Sequence, residues 1–341
     1  MKQLLKERNL PELKSREEML EILQREEYGY LPAPPEELRF EFVEKLSPAY
    51  CAGKAVGNRM RCQVKVKGQY FSFPFVYVAP KNGKQNPFFI HVNFRADVPD
   101  RYMPTEEIVD EGFGCISFCY EDVTKDNKAF NTGLAAILYP DGQRRGSDPG
   151  KIAMWAWAAM RMMDFAETCP ELDAAKGIVC GHSRLGKTAL FTAAMDTRFA
   201  IGYSNNSGCS GAALSRGRSE KGETVHKITT TFPHWFCPNY LAYEGDVDKL
   251  PFDQHYLLAS IAPRRVFVGS ATEDHWADQL SEQLCCAAAA PAFEGGFVCD
   301  HIAQPDEVFD EGPIGYHLRT GTHYFCRQDW QRLIAFARKH L

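Results

Sequence analysis

The segment Gly181-His182-Ser183-Arg184-Leu185-Gly186-Lys187 joins an apolar β-type run, Gly177-Ile178-Val179-Cys180, to a run that reads as a helix, Thr188-Ala189-Leu190-Phe191-Thr192-Ala193-Ala194-Met195. A serine between glycines at a strand-to-helix junction is the signature of a nucleophile elbow. Such a turn forces the serine into a strained backbone conformation, so its neighbours must lack side chains that would strike the strand or the helix. The N–H groups that follow head a helix, where they can stabilise developing negative charge. The second glycine falls at 186 instead of 185, so the pattern is G-x-S-R-x-G-K and not G-x-S-x-G. By itself the match fits a plain turn serine equally well; the surrounding pattern decides.

Residues 12–28 read as a helix with Ser15 and Glu18 as a capping box, followed by a proline-rich, extended 29–37. From 38 to 79 apolar and polar residues alternate, broken by Gly57, Gly68 and Pro80, as in antiparallel strands with one exposed face. Beyond Pro87 the pattern becomes strand, loop, helix. Runs 88–94 and 114–120 are almost continuously apolar, as expected of central parallel strands. A tryptophan-rich helix over 152–167 precedes the elbow strand; strands over 199–204 and 265–270, a helix over 277–290 and a last helix over 330–340 follow. This order predicts an α/β-hydrolase fold of the α/β class: a doubly wound, mostly parallel sheet with antiparallel N-terminal strands. Ligands of such sheets sit beyond the strands' carboxyl ends.

With 341 residues, 45% of them apolar, the chain can bury a large core, and one enlarged domain over 1–341 is expected, with 1–36 as a helix and lead-in. Residues 207–255 have weak periodicity but carry Trp235, Phe236, Tyr240 and Tyr243, which argues for a folded, cap-like insertion over the site. A formal charge of −5 provides no basic field for nucleic acid. Neither the N-terminal residues nor any later apolar run resembles a signal segment or a membrane span. The twelve cysteines lie in apolar stretches without C-x-x-C pairs, as reduced core thiols do, and point to the cytoplasm. No histidine spacing suggests a metal site, and no cofactor is expected.

A serine hydroxyl needs a histidine to take its proton and a carboxylate to orient that histidine. In this fold the order along the chain is serine, acid, histidine. The loop Ala271-Thr272-Glu273-Asp274-His275-Trp276-Ala277-Asp278 offers Asp274 as the acid, with Glu273 and Asp278 as competitors and Asp278 suited to capping the next helix. Near the C-terminus His323 follows a glycine turn just ahead of the last helix, where a base can reach the elbow. His317 reads as a surface or packing histidine. His91, His182 and His340 read as structural, and Asp253-Gln254-His255 fits either a cap lining or a helix cap.

The elbow, taken with Ser204-Asn205-Asn206-Ser207-Gly208-Cys209, His234-Trp235-Phe236-Cys237, Asp253-Gln254-His255, Asp274-His275-Trp276-Ala277-Asp278 and Gly321-Thr322-His323, resembles the bacterial branch of the glucuronoyl esterase family over roughly 85–341. The resemblance implies an α/β-hydrolase that cleaves esters between glucuronic acid on xylan and lignin alcohols. It implies Ser183 as nucleophile, His323 as base, Asp274 as acid and Arg184 as oxyanion stabiliser, with Lys187, Trp276, Glu223 and Trp235 as substrate contacts. Arg184 and Lys187 can also be read as a solvated helix start, but cations there oppose the helix dipole, which favours a function. Fungal members carry a glutamate acid where Asn206 stands here, which moves the acid role to Asp274. A cytoplasmic enzyme would take small or oligosaccharide esters as substrates. The competing readings are an acetyl-xylan-type deacetylase on the same fold and a non-catalytic sugar-binding relative.

Overall fold

The alternating N-terminal stretch forms three antiparallel strands, β1 (Glu37–Lys45), β2 (Ala55–Val66) and β3 (Gln69–Pro80), and β1 is the outermost, its pairing interrupted by a bulge between Phe42 and Glu44. The computed structural model describes residues 1–95 and 97–341. The apolar runs form β4 (Asn86–Asn93), β5 (Gly114–Cys119), β6 (Leu172–His182), β7 (Ile201–Asn205) and β8 (Arg265–Ala271), and a pair that the sequence reading did not assign to the sheet, β9 (Val308–Phe309) and β10 (Ile314–Arg319), completes it. The ten strands lie in the order β1-β2-β3-β5-β4-β6-β7-β8-β10-β9. From β5 through β10 neighbours run parallel. Because β5 lies on one side of β4 and β6 on the other, sheet growth reverses at β4, and ligands of such sheets sit beyond the carboxyl ends near that reversal. The elbow stands at that end of β6.

Helix Lys151–Ala166 is buried on every face, all residues but Asp164 included. A helix apolar all round must be covered on all sides. The proline-rich lead-in supplies part of that cover, the indole N–H of Trp157 donating to the Ala33 carbonyl at 3.0 Å; just ahead of it, Tyr28 stacks 4.3 Å from Phe191 of the elbow helix. The helix expected from residue 12 begins at Arg16, because Ser15 is extended and closes a capping box with Glu18; after Leu23 it widens into a π-turn, Gln24–Tyr28. A further helix, Lys2–Glu7, lies ahead of it.

Residues 207–255 contain the helix Val225–Thr231 and several 3-10 turns. Asp253-Gln254-His255 neither lines the site nor caps a helix through its side chains. Asp253 is wholly buried and accepts from the Ser215 and Arg216 N–H groups at 2.7 and 3.1 Å, which fixes the start of that segment. Gln254 donates to both carboxyl oxygens of Glu27 at 2.9 and 3.1 Å, tying the segment to the π-turn.

Burial pushes the Glu27 carboxyl up from 4.5 to about 8, against the hydrogen bond from Gln254. Between those values the folded state keeps a proton that the unfolded chain releases. The group's contribution to stability is therefore complete below about pH 4.5 and is lost as pH rises toward about 8. Thermal unfolding across that window should show the melting temperature falling with pH in the wild type and falling less in Glu27→Gln. Parallel curves would assign the slope to other groups.

Candidate active site

At the end of β6 the chain turns so tightly that a Cβ on Gly181 would lie 2.2 Å from the Leu185 carbonyl oxygen. Only glycine fits. Ser183 then adopts φ 60° and ψ −126°, a region L-residues rarely occupy, and heads the helix Arg184–Met195. The displaced second glycine has its own reason: a Cβ on Gly186 would meet Ser204 Oγ at 2.9 Å and Ser207 Cβ at 3.1 Å, so at position 186 the helix lies close against β7 and the turn after it.

Ser183 lines a pocket of about 280 Å³ together with Asp274 and His323. His323 Nδ1 lies 2.5 Å from Asp274 Oδ2, and the ring is partly exposed while the carboxylate is buried. Of the competing carboxylates, Glu273 is exposed and Asp278 caps the helix Gln279–Ala289 through the Ser281 N–H. Asp274 also accepts from the Ala277 N–H at 3.3 Å, which holds its other oxygen. His317 is fully buried in β10, with Nε2 3.1 Å from the Tyr203 hydroxyl; it is a packing histidine and not a surface one. His182 packs under His323 at a ring separation of 4.4 Å, its Nδ1 2.7 Å from Asn205 Oδ1, and burial and the neighbouring His323 hold it well below the usual histidine range. His91 is also buried, but its Nδ1 has no hydrogen-bond partner among the described residues.

Arg184 and Lys187 do not form a solvated face. The Arg184 guanidinium pairs with Asp126 and lies 4.9 Å over the Trp235 ring. Lys187 is 3% exposed and donates to the Ser207 and Cys209 carbonyls, the latter at 2.6 Å, so it stitches the elbow helix to the turn after β7. Burial lowers its pKa, and the nearby Glu223 carboxylate partly offsets this. Lys187, Glu223, Trp235 and Trp276 all line the pocket. Trp276 is 48% exposed, with Lys227 4.8 Å over its ring, whereas Trp235 is 3% exposed and stacked 3.9 Å from Phe232, a wall more than a platform. Asn206 lines the pocket in a left-handed conformation, φ 48°, and neither atom of its buried amide has a hydrogen-bond partner among the described residues.

Sequence reasoning missed Asp126. Its carboxylate accepts from Arg184, from His234 Nε2 at 2.8 Å, from Trp235 Nε1 at 2.7 Å and from the Tyr120 hydroxyl at 3.2 Å. Burial alone would raise it, but the hydrogen bonds from His234 and Trp235 and the Arg184 charge hold it well below the usual carboxylate range. Its loop follows β5 at the ligand-facing end of the sheet, a signal blurred by Glu121 and Asp122 nearby. Larger hollows of about 360 and 550 Å³ lie around Glu107 and Arg327, and none of these site residues lines them.

This sheet, with a strained serine at the elbow and a histidine–carboxylate pair facing the same pocket, defines the α/β-hydrolase class and carries the residue set of a serine hydrolase. A family model described as "Glucuronyl esterase, fungi" matches residues 62–295, more than half of the chain, and the chain belongs to the glucuronoyl esterase family. It is similar to carbohydrate esterase MZ0003 of an unknown prokaryotic organism, 42% identical over 242 residues that cover 69% of this chain and 55% of that protein. It is also similar to 4-O-methyl-glucuronoyl methylesterase of Podospora anserina, 26% identical over 81% of this chain and 55% of that one. The chain thus spans about half the length of the curated relatives it matches. Among solved structures, a glucuronoyl esterase from Solibacter usitatus superposes with a TM-score of 0.88 at 30% identity, covering 96% of this chain and 92% of the other. A promiscuous CE15 esterase from a marine bacterial metagenome gives 0.87 at 32% identity, with 96% and 91% coverage.

Removing Asp126 strands three donors at once and leaves the Arg184 charge without its partner. Asp126→Ala should lower unfolding stability by about 2–3 kcal/mol in a urea titration, the scale of a lost charged hydrogen bond in a part-buried site. A change indistinguishable from zero would mean that Arg184 and His234 find other acceptors.

Proposed function

We propose that this protein is a serine esterase that cleaves esters of glucuronic acid. The observation that carries the reading is the 2.5 Å pairing of His323 with Asp274 on the wall of the pocket that Ser183 lines. In this mechanism His323 takes the Ser183 proton as Oγ attacks the ester carbonyl, while Asp274 stabilises the imidazolium and fixes its orientation. The oxyanion is met by the backbone N–H of Arg184 at the helix start and by the Arg184 guanidinium, which Asp126 holds from behind. His323 returns the proton to the departing alcohol. Water, deprotonated by the same histidine, then releases glucuronate from the acyl-enzyme.

A glucuronate ester carries its sugar on the acyl side, so the pocket needs polar groups beyond the reacting carbon. Lys187 and Glu223 supply charged partners for ring hydroxyls, and Trp276 offers an exposed indole face. An acetyl ester, whose acyl side is one methyl group, needs none of these, which favours the glucuronoyl reading over a deacetylase. The relatives named 4-O-methyl-glucuronoyl methylesterase support the same choice. Within one domain, residues 207–255 serve as the cap, contributing Gly208, Glu223, Phe232 and Trp235 to the pocket wall. Twelve free thiols favour the cytoplasm, where small or oligosaccharide esters would be the substrates. No helix among the described residues is long and apolar enough to cross a membrane.

Ser183→Ala and His323→Ala should each cut hydrolysis of benzyl glucuronate by on the order of 10⁴-fold with the fold intact. If His317→Ala lost activity and His323→Ala kept it, the base would be misassigned. Asp274→Asn should cost more than Asn206→Ala, because only a carboxylate stabilises the imidazolium; a near-normal rate for Asp274→Asn would remove that role. Lys187→Ala should lower kcat/KM on the glucuronate ester by about 10- to 150-fold relative to p-nitrophenyl acetate, the scale of a charged hydrogen bond. Equal losses on both substrates would confine Lys187 to holding the turn at Ser207 and Cys209.

A further inference from the structure

Arg319 ends β10 and is 3% exposed. Its Nε donates to both oxygens of the fully buried Asp329 at 2.9 Å each. One terminal nitrogen donates to the Thr322 carbonyl at 2.8 Å and to the Tyr324 carbonyl, the residues on either side of His323. The other lies 3.3 Å from the Thr320 carbonyl. Gly321 between them has φ 123°, and a Cβ there would come within 2.8 Å of the Arg319 guanidinium, so the loop is cut to let that group pass. On its other side the same loop is laced to the acid loop. The Thr272 N–H donates to the Arg319 carbonyl and the Glu273 N–H to the Gly321 carbonyl, both at 2.9 Å, and the Gly321 N–H reaches Thr272 Oγ1 at 3.2 Å.

Asp329 is itself anchored by the Cys326 N–H at 2.8 Å, in the first turn of the helix Arg327–His340. The chain of contacts therefore runs from the last helix through Asp329 and Arg319 to both carbonyls flanking the base. His323 sits on an exposed loop, and a loop carries no intrinsic constraint on where its side chain points. A planar guanidinium has fixed donor directions, so with Nε held by Asp329 its terminal nitrogen is aimed at both carbonyls.

The geometry points to Arg319 as a positioning residue for the reaction: it fixes the backbone on both sides of His323 so that the imidazole meets Asp274 on one side and the serine on the other. This inference rests on the esterase reading for its kinetic consequence and on the His323–Asp274 pair alone for its spectroscopic one. A base displaced by a fraction of an ångström to about an ångström loses proton transfer more than substrate binding.

The test compares wild type with Arg319→Met and Arg319→Lys, and with Asp329→Asn, which keeps its shape and every Arg319 donor but withdraws the charge that aims them. Rates are read well below each variant's melting temperature. Arg319→Met and Asp329→Asn should lower kcat on a glucuronate ester by on the order of 10²-fold with KM little changed. Arg319→Lys should recover only part of the loss. In the proton NMR spectrum the far-downfield signal of the His323 Nδ1–H bonded to Asp274, present in wild type and absent in Asp274→Ala, should weaken or vanish in Arg319→Met. Folded variants with wild-type kcat and an unchanged signal would overturn the proposal, whatever happened to their melting temperatures. The signal needs no substrate, so if wild type hydrolysed no ester the esterase reading would fail while the role of Arg319 would still be decided.

Discussion

The site depends on one close approach, the backbone of Gly181 against the Leu185 carbonyl, where even a methyl group would lie 2.2 Å from the oxygen. That contact brings strand and helix together within four residues and leaves Ser183 no relaxed conformation. A serine held at φ 60° keeps its place only if the surrounding structure over-determines it. The surroundings do so: the Ser183 N–H bonds the Asn205 carbonyl at 2.9 Å, Gly186 packs on the turn after β7, and Lys187 ties that turn back to the helix.

Charge in the site is arranged in partnered layers. Arg184 faces the pocket with Asp126 at its back, and His234 and Trp235 share the same carboxylate. Lys187 donates hydrogen bonds to two carbonyls, and the Gly208 N–H beside them donates to Glu282 at 2.9 Å, a buried carboxyl pushed up to about 7 by desolvation. Behind the His323 loop, Arg319 and Asp329 form a further pair. Arg184 and Arg319 each have a carboxylate partner and Lys187 has two carbonyl acceptors, so none of the three is an unsolvated charge, a far greater cost.

What was legible in the sequence followed from local rules. The elbow announced itself through glycines that sterics demand, β4 and β5 through apolar runs covered on both faces, and the choice among three carboxylates was narrowed by Asp278 looking like a helix cap, which it is. β10 was not legible as a sheet strand. It carries His317 and Arg319, both fully or nearly fully buried, and polar groups in an extended stretch do not announce a buried sheet strand until their partners, Tyr203 and Asp329, are known. The same holds for Asp126, whose role is created by Arg184, His234 and Trp235, 58 to 109 residues away in the chain. Periodicity carries information about faces; pairing across the fold carries none until the fold exists. Lys187 shows the intermediate case: its proximity to the elbow was readable, its burial was not.

The outermost strand, β1, has a bearing on how the protein behaves in a crowded solution. An unpaired strand edge is a template on which another chain can add its own strand. Here the edge is studded with Glu37, Arg39, Glu41, Glu44 and Lys45 and bent by the bulge beside Phe42, so an incoming strand would have to neutralise those charges and follow a kink. Phe42 and Val43, 54% and 43% exposed, are the places where that protection is thinnest. The large open sheet that delivers the elbow to its crevice thus carries its own deterrent against sticking to copies of itself, and that deterrent weakens with rising salt as the charges are screened.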